Sequence, residues 1–139
     1  MPTIGKRRSA TVAAAALLAL NACTPGPDDA AVCAAFHADA SAVEVVADGS
    51  ITRLLGTYAG RSDAHEGFLL HLRSGCDLTV RVESNVTLTG PIPLHAGERA
   101  VVKGEYEYDV FGGVIHWTHR ETHGRHPGGY VEAGGRYYW

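Results

Sequence analysis

The sequence predicts an all-β domain: a small five-stranded OB-like barrel with a short N-terminal helix and a C-terminal β-hairpin. Three observations carry that expectation. One long β-prone segment comes first, two hairpins with alternating hydrophobicity come after it, and a proline-bearing crossover separates the hairpins. A β-sandwich is the alternative, but it needs about seven strands. The chain offers five and a terminal hairpin.

Ahead of these elements stands an export signal over residues 1–22. Lys6, Arg7 and Arg8 precede an uncharged run of alanine and leucine from Ala10 to Ala22. The run is shorter than the roughly 20 apolar residues that a spanning helix needs. Leu20, Asn21, Ala22 and Cys23 resemble a bacterial lipobox, with Asn21 unusual in it, so Cys23 is the expected lipidation site. A plain secretory signal is the alternative. Thr24 is not the aspartate that typically retains lipoproteins at the inner membrane, which by analogy directs the protein to the outer membrane.

Residues 23–41 read as a tether and a short helix, and residues 42–139 as the barrel. Thr24 to Pro27 is rich in proline and glycine. Asp28 and Asp29 then sit where a helix would start, ahead of the alanine-rich Ala30 to Ala40. That helix would bring Cys33 to Cys76. With Cys23 taken by lipid, these two remain, and an oxidising compartment favours their disulfide. Closing a loop of 43 positions (76 minus 33) stabilises a fold by roughly 4 kcal/mol in the chain-entropy model. Two unrelated buried thiols are the alternative.

Within the barrel, Val43 to Leu55 is the long first segment, with an interruption expected at Gly49. Phe68, Leu70 and Leu72 alternate with their neighbours, as do Leu78, Val80 and Val82, and Ser74-Gly75 turns between them. Gly90 to Gly97 contains Pro91 and Pro93 and cannot be a central strand. Arg99 to Tyr108 and Val114 to Thr118 form the second hairpin, and Gly129 to Trp139 the terminal one.

Gly104-Glu105-Tyr106-Glu107-Tyr108, the run Gly112-Gly113-Val114-Ile115-His116-Trp117-Thr118-His119, then Gly124-Arg125-His126-Pro127 and Gly129-Tyr130 form a recognisable series. It resembles the pattern of a bacterial family catalogued as domain of unknown function 3465. The likeness spans about Val43 to Tyr138. It implies a short exported protein and no particular reaction. The chain departs from the pattern at Arg120, Glu121 and Thr122, and at Glu66 and Gly67. The strand order is also similar to that of periplasmic bacterial OB-fold proteins, a likeness of fold alone.

Charge narrows the partners. Removing Lys6, Arg7 and Arg8 from 12 basic residues leaves 9 against 15 acidic ones, a net charge of −6. A phosphate-binding domain should be basic, and this balance argues against nucleic acid as a partner. An envelope ligand, a partner protein or a cell-wall glycan fits better.

The candidate chemistry lies near the C-terminus, where His116, His119, His123 and His126 surround Glu121. Imidazole with carboxylate suits a divalent transition metal such as zinc. On a regular strand His116 and His119 point to opposite faces. His119, Glu121 and His126, on a glycine-bearing loop, are therefore the better metal trio. If His65 reaches that loop, His65, His119 and His126 make a three-histidine site with an open position, and His65, His119 and Glu121 become catalytic candidates. The bland alternative is that each imidazole hydrogen-bonds a nearby carbonyl. Among the rings crowding the C-terminal third, Trp117 and Tyr130 with His126 are candidate binding residues; Tyr106 and Tyr108 are expected to fill the barrel. Glu105 and Glu107 share one strand face, ordinarily a solvated one. No Ser-His-Asp order, phosphate loop or C-x-x-C is present. Two functions emerge: a lipid-anchored envelope binding module with a histidine-rich loop or, as the alternative, a metal-dependent hydrolase of a phosphoester or related bond.

Overall fold

The computed structural model describes Met1 and residues 26–139, so the expected export signal and Cys23 lie outside the described residues. Among the described residues no helix is long and apolar enough to cross a membrane. Asp28 accepts the Ala31 amide at 3.1 Å and caps helix α1 (Asp29–His37). The helix stops short of the alanine run's end because Asp39 and Ala42 take positive φ and turn the chain.

Seven strands succeed it: β1 (Val43–Ala59), β2 (Ala64–Leu72), β3 (Thr79–Asn85), β4 (Arg99–Glu107), β5 (Val114–His116), β6 (Tyr130–Ala133) and β7 (Arg136–Tyr138). One short helix, α2 (Val86–Thr89), opens the crossover from β3 to β4. The first five strands close into a ring in the order β1-β2-β3-β5-β4, with β4 back on β1 and the β3–β5 pair parallel. That is the expected OB-like barrel, with the expected N-terminal helix and C-terminal hairpin.

Strand β1 closes the ring by serving two partners. Val43 to Ser50 pair with β4, and Gly49 to Ala59 pair with β2. The expected interruption at Gly49 is not there. Gly49 pairs in regular register on both sides, and the irregularities fall between Ile51 and Arg53 and between Leu54 and Gly56. Gly49 serves instead for close approach: a Cβ there would lie 2.5 Å from the His71 carbonyl oxygen. Beyond Ile51 the strand runs on to Ala59 with its side chains exposed and pairs with β2 alone, having left β4 at Ser50.

Alternation sorts the side chains. Tyr106, Phe68, Ile51, Leu70, Ile115, Val80, Val82 and Val102 are fully buried and fill the interior. The Tyr106 hydroxyl donates to the Gly112 carbonyl at 3.2 Å. Helix α1 closes one end through Val32 and the Cys33–Cys76 disulfide, as the cysteine count led us to expect. Asp29 does more than start the helix. It is buried, and its carboxylate accepts the Asp48 amide at 2.7 Å, the Ser74 amide at 3.1 Å and the Ser74 hydroxyl at 3.0 Å.

Strand β4 divides one of its edges between two partners, β5 on Glu105 to Glu107 and β6 on Ala100 to Lys103. The chain from Trp117 to Gly129, which links β5 to β6, must therefore leave that edge and return to it. Its return is tight, because a Cβ on Gly129 would lie 2.2 Å from the Trp117 carbonyl oxygen and 2.4 Å from that of Lys103. The Lys103 ammonium donates to the Gly128 carbonyl at 2.7 Å and pins the loop to β4.

Candidate functional site

The loop covers the outer face of the barrel, where the side chains that do not enter the core stand in cross-strand rows. Glu44 on β1 is opposite Glu105 on β4, and Glu105 is opposite His116 on β5. His65 on β2 is opposite Asn85 on β3. Burial pushes the Glu44 carboxyl up, against the pull of Lys103 and with a further push from Glu105.

Strand β5 ends at His116, two residues before the expected Thr118, because Trp117 takes φ of 54°. A bulky residue rarely adopts that conformation. The turn undoes the alternation that would have separated His116 from His119. Both now line a small cavity of about 100 Å³ together with His65, Glu83, Asn85 and Trp117. His65 does reach the C-terminal loop. Its Nδ1 is buried with no hydrogen-bond partner. The Tyr58 ring stacks over it at 5.9 Å. Burial, with the Glu83 carboxylate that accepts its hydroxyl, pushes Tyr58 up to about 12.

The loop histidines are also brought together. The His119 and His126 rings meet edge to face at 5.0 Å, and Trp117 stacks on His126 at 4.4 Å. The His126 Nε2 lies 2.9 Å from Glu121, both side chains being less than a tenth exposed. The His123 amide N–H, aided by neighbouring His126 against the effect of burial, holds Glu121 below the usual carboxylate range. Within the expected trio the contact between ligand atoms is that of His126 with Glu121, and both histidines turn Nδ1 to a backbone carbonyl. His119 Nδ1 is 2.9 Å from its neighbour's carbonyl at Arg120, and His126 Nδ1 is 2.8 Å from that of Pro127.

A different group presents ligand atoms to one point. Among the described residues, Glu105, Glu107 and His116 place one atom each within 4.8 Å of one another, so this group can hold a metal ion. His116 Nε2 is 3.5 Å from Glu105 and 3.8 Å from Glu107, and it is buried without a hydrogen bond. Strand periodicity puts both glutamates on one face, which by itself reads as solvated. The third member depends on the β4–β5 register, which composition and spacing do not give.

Beside these groups lies an open cleft of about 920 Å³. Its walls come from the β1–β2 turn (Ser62, Asp63), from Asn85 and Leu88, from Glu105 and from the loop with Trp117, His119, Arg125 and His126. Trp139 closes one side, with the Arg120 guanidinium 5.2 Å from its ring centroid. Trp117 and Trp139 remain 41% and 47% exposed. Of the candidate binding residues, Trp117 and His126 line this cleft. Tyr130 does not: its ring packs against Tyr137 at 5.1 Å, and burial raises its phenol. Tyr106 is inside the barrel and Tyr108 packs on Phe36, so neither offers a ring here.

The model of a family described as proteins of unknown function, DUF3465, matches residues 14–139, and the chain belongs to that family. No curated protein and no solved structure matches it.

Proposed function

We propose that this DUF3465 protein is an exported, lipid-anchored cell-envelope module that binds a polar ligand, best a cell-wall glycan, in the cleft between Trp117 and Trp139. One observation carries the reading: two half-exposed indoles flank a cleft of about 920 Å³ that also holds guanidiniums, carboxylates and imidazoles. Ligand sites commonly have volumes of about 300–1,000 Å³ and pair ring surfaces with a few placed polar groups. A sugar offers C–H faces for the indoles and hydroxyls for Asp63, Glu105 and Arg125. A polyanion would meet a chain of net charge −6 after signal removal.

The hydrolase alternative asks His119, Glu121 and His126 to hold a metal with help from His65. The binding reading is preferred because the His126 Nε2 already meets Glu121, and among the described residues the three ligand atoms that share one focus come from Glu105, Glu107 and His116 and not from the loop. For the anchor, Cys23 is the expected acceptor, with the outer membrane as destination.

The test is a sedimentation assay with purified insoluble cell wall, backed by tryptophan fluorescence titration with soluble glycan fragments. Trp117→Ala and Trp139→Ala should each weaken binding about tenfold, the order of one lost stacking contact. Wild-type protein that stays in the supernatant, or two variants that bind as wild type does, would sink the reading. Incorporation of labelled fatty acid should vanish in Cys23→Ala, and labelling that persists rejects the anchor.

A further inference from the structure

We propose that Glu105, Glu107 and His116 form a binding site for a divalent transition-metal ion of the zinc class, placed at the edge of the cleft with coordination positions left open. This goes beyond the glycan reading and stands independently of it.

The strands set the geometry. Glu105 and Glu107 are two apart on β4 and so project from one face, and antiparallel pairing sets His116 of β5 opposite Glu105. Three potential ligands on two paired strands are held by the sheet's own hydrogen bonds. Loop ligands have no such support.

His116 supplies an independent observation. Its Nε2 is buried, points between two carboxylates at 3.5 and 3.8 Å, and makes no hydrogen bond. A buried nitrogen without a partner costs a fold about 1–3 kcal/mol. A cation at the common focus would take the Nε2 lone pair and one oxygen from each carboxylate, satisfying all three at once. The free energy of binding would offset the cost of leaving the nitrogen unpaired.

Ligand chemistry then selects the metal class. One imidazole and two carboxylates match zinc, iron or manganese better than calcium, which takes oxygen ligands alone. Three protein ligands also leave at least one position for water or a guest. Side chains that are 32%, 22% and 40% exposed keep that position open to solvent. Because Glu105 also lines the cleft, a ligand hydroxyl or carboxylate seated there can complete the coordination sphere.

The experiment uses the mature chain, stripped with chelator and titrated with Zn²⁺ by calorimetry, and with Co²⁺ by visible absorption. One equivalent should bind, and Co²⁺ should show a low-coordinate d–d band. His116→Ala and Glu105→Gln should each weaken binding by more than about tenfold, the cost that even loss of an outer-sphere partner brings. His126→Ala should keep the metal. Glu107→Gln, nearly isosteric, guards against a His116→Ala chain that fails to fold. Three results overturn the site: no stoichiometric binding by wild-type protein, unchanged affinity in folded His116→Ala and Glu107→Gln, or loss of the metal only in His126→Ala. The last would return the ion to the loop trio. Glycan sedimentation by metal-free protein bears only on the cleft, so the two readings can fail separately.

Discussion

The interior of the barrel and the outer face under the 117–129 loop are built from the same strands by opposite rules. Inside, Phe68, Leu70, Val80, Val82 and Ile115 interlock, and the largest polar group, the Tyr106 hydroxyl, finds the Gly112 carbonyl. Ser84 is the interior exception, with a buried hydroxyl that has no partner. Outside, imidazoles and carboxylates crowd together, and His65 Nδ1 and His116 Nε2 are buried without partners. The interior is arranged for stability. The outer face carries unmet hydrogen-bonding demand that a ligand can meet, and buried polar atoms of that kind call for a reason other than stability.

Both regions hang on one frame, and breaking it should have the largest effect. Cys33 and Cys76 tie α1 to the β2–β3 turn, and the double variant Cys33→Ser Cys76→Ser should lose roughly 4 kcal/mol of unfolding free energy. Urea denaturation followed by circular dichroism measures this. A loss well under 1 kcal/mol would mean that the barrel does not need its clamp.

A matched pair of substitutions then sets inside against outside. Tyr106→Phe removes a satisfied interior hydroxyl and should cost about 1 kcal/mol. His65→Phe keeps a ring for Tyr58 to stack on but removes the unpaired nitrogen, and it should be neutral or stabilising by up to about 1 kcal/mol. Thermal unfolding of both variants decides the matter. If His65→Phe is the more damaging of the two, the His65 imidazole supports the fold, and the histidines of the outer face are structural.

The same contrast governs how much of the molecule is legible in its sequence. Period two in Phe68–Leu72 and Leu78–Val82 marks an interior face directly, since burial on one side is all it needs. Asp28 announces α1, and the cysteine count leads to the disulfide. The end of β1 beyond Leu55, residues 56–59, escapes because both of its faces are exposed, which leaves no alternation to read. Helix α2, only four residues long, carries no periodicity either. The outer-face site is half legible. His65, His119, Glu121 and His126 are recognisable by type, and the structure sets His65 beside His119 and Glu121 beside His126. Which atoms remain free is not recognisable, because that depends on the positive φ of Trp117 and on the register of β4 with β5. Both are consequences of tertiary structure.

The smallest effect concerns pH and pits two carboxyls from different parts of the surface against each other. Glu66 accepts the Ile92 amide at 3.0 Å from a partly buried position, and burial raises its carboxyl above the ordinary 4.5 despite that bond. The folded state thus takes up this proton at a higher pH than the unfolded chain does, and stability rises as pH falls through the raised value. Glu121 behaves oppositely. Held below 4.5 by the His123 amide, it contributes stability that is present above 4.5 and lost as pH falls through its folded value. Acidification should therefore first firm the crossover and then, below about 4.5, free the loop. Trp117, stacked on His126, reports the second step, because release of the imidazole changes indole fluorescence. Glu121→Gln should abolish that low-pH transition, while Glu66→Gln should leave it in place and shift stability at neutral pH by no more than about 0.5 kcal/mol. A fluorescence transition that survives Glu121→Gln would show that another titrating group triggers it, with this carboxylate a bystander.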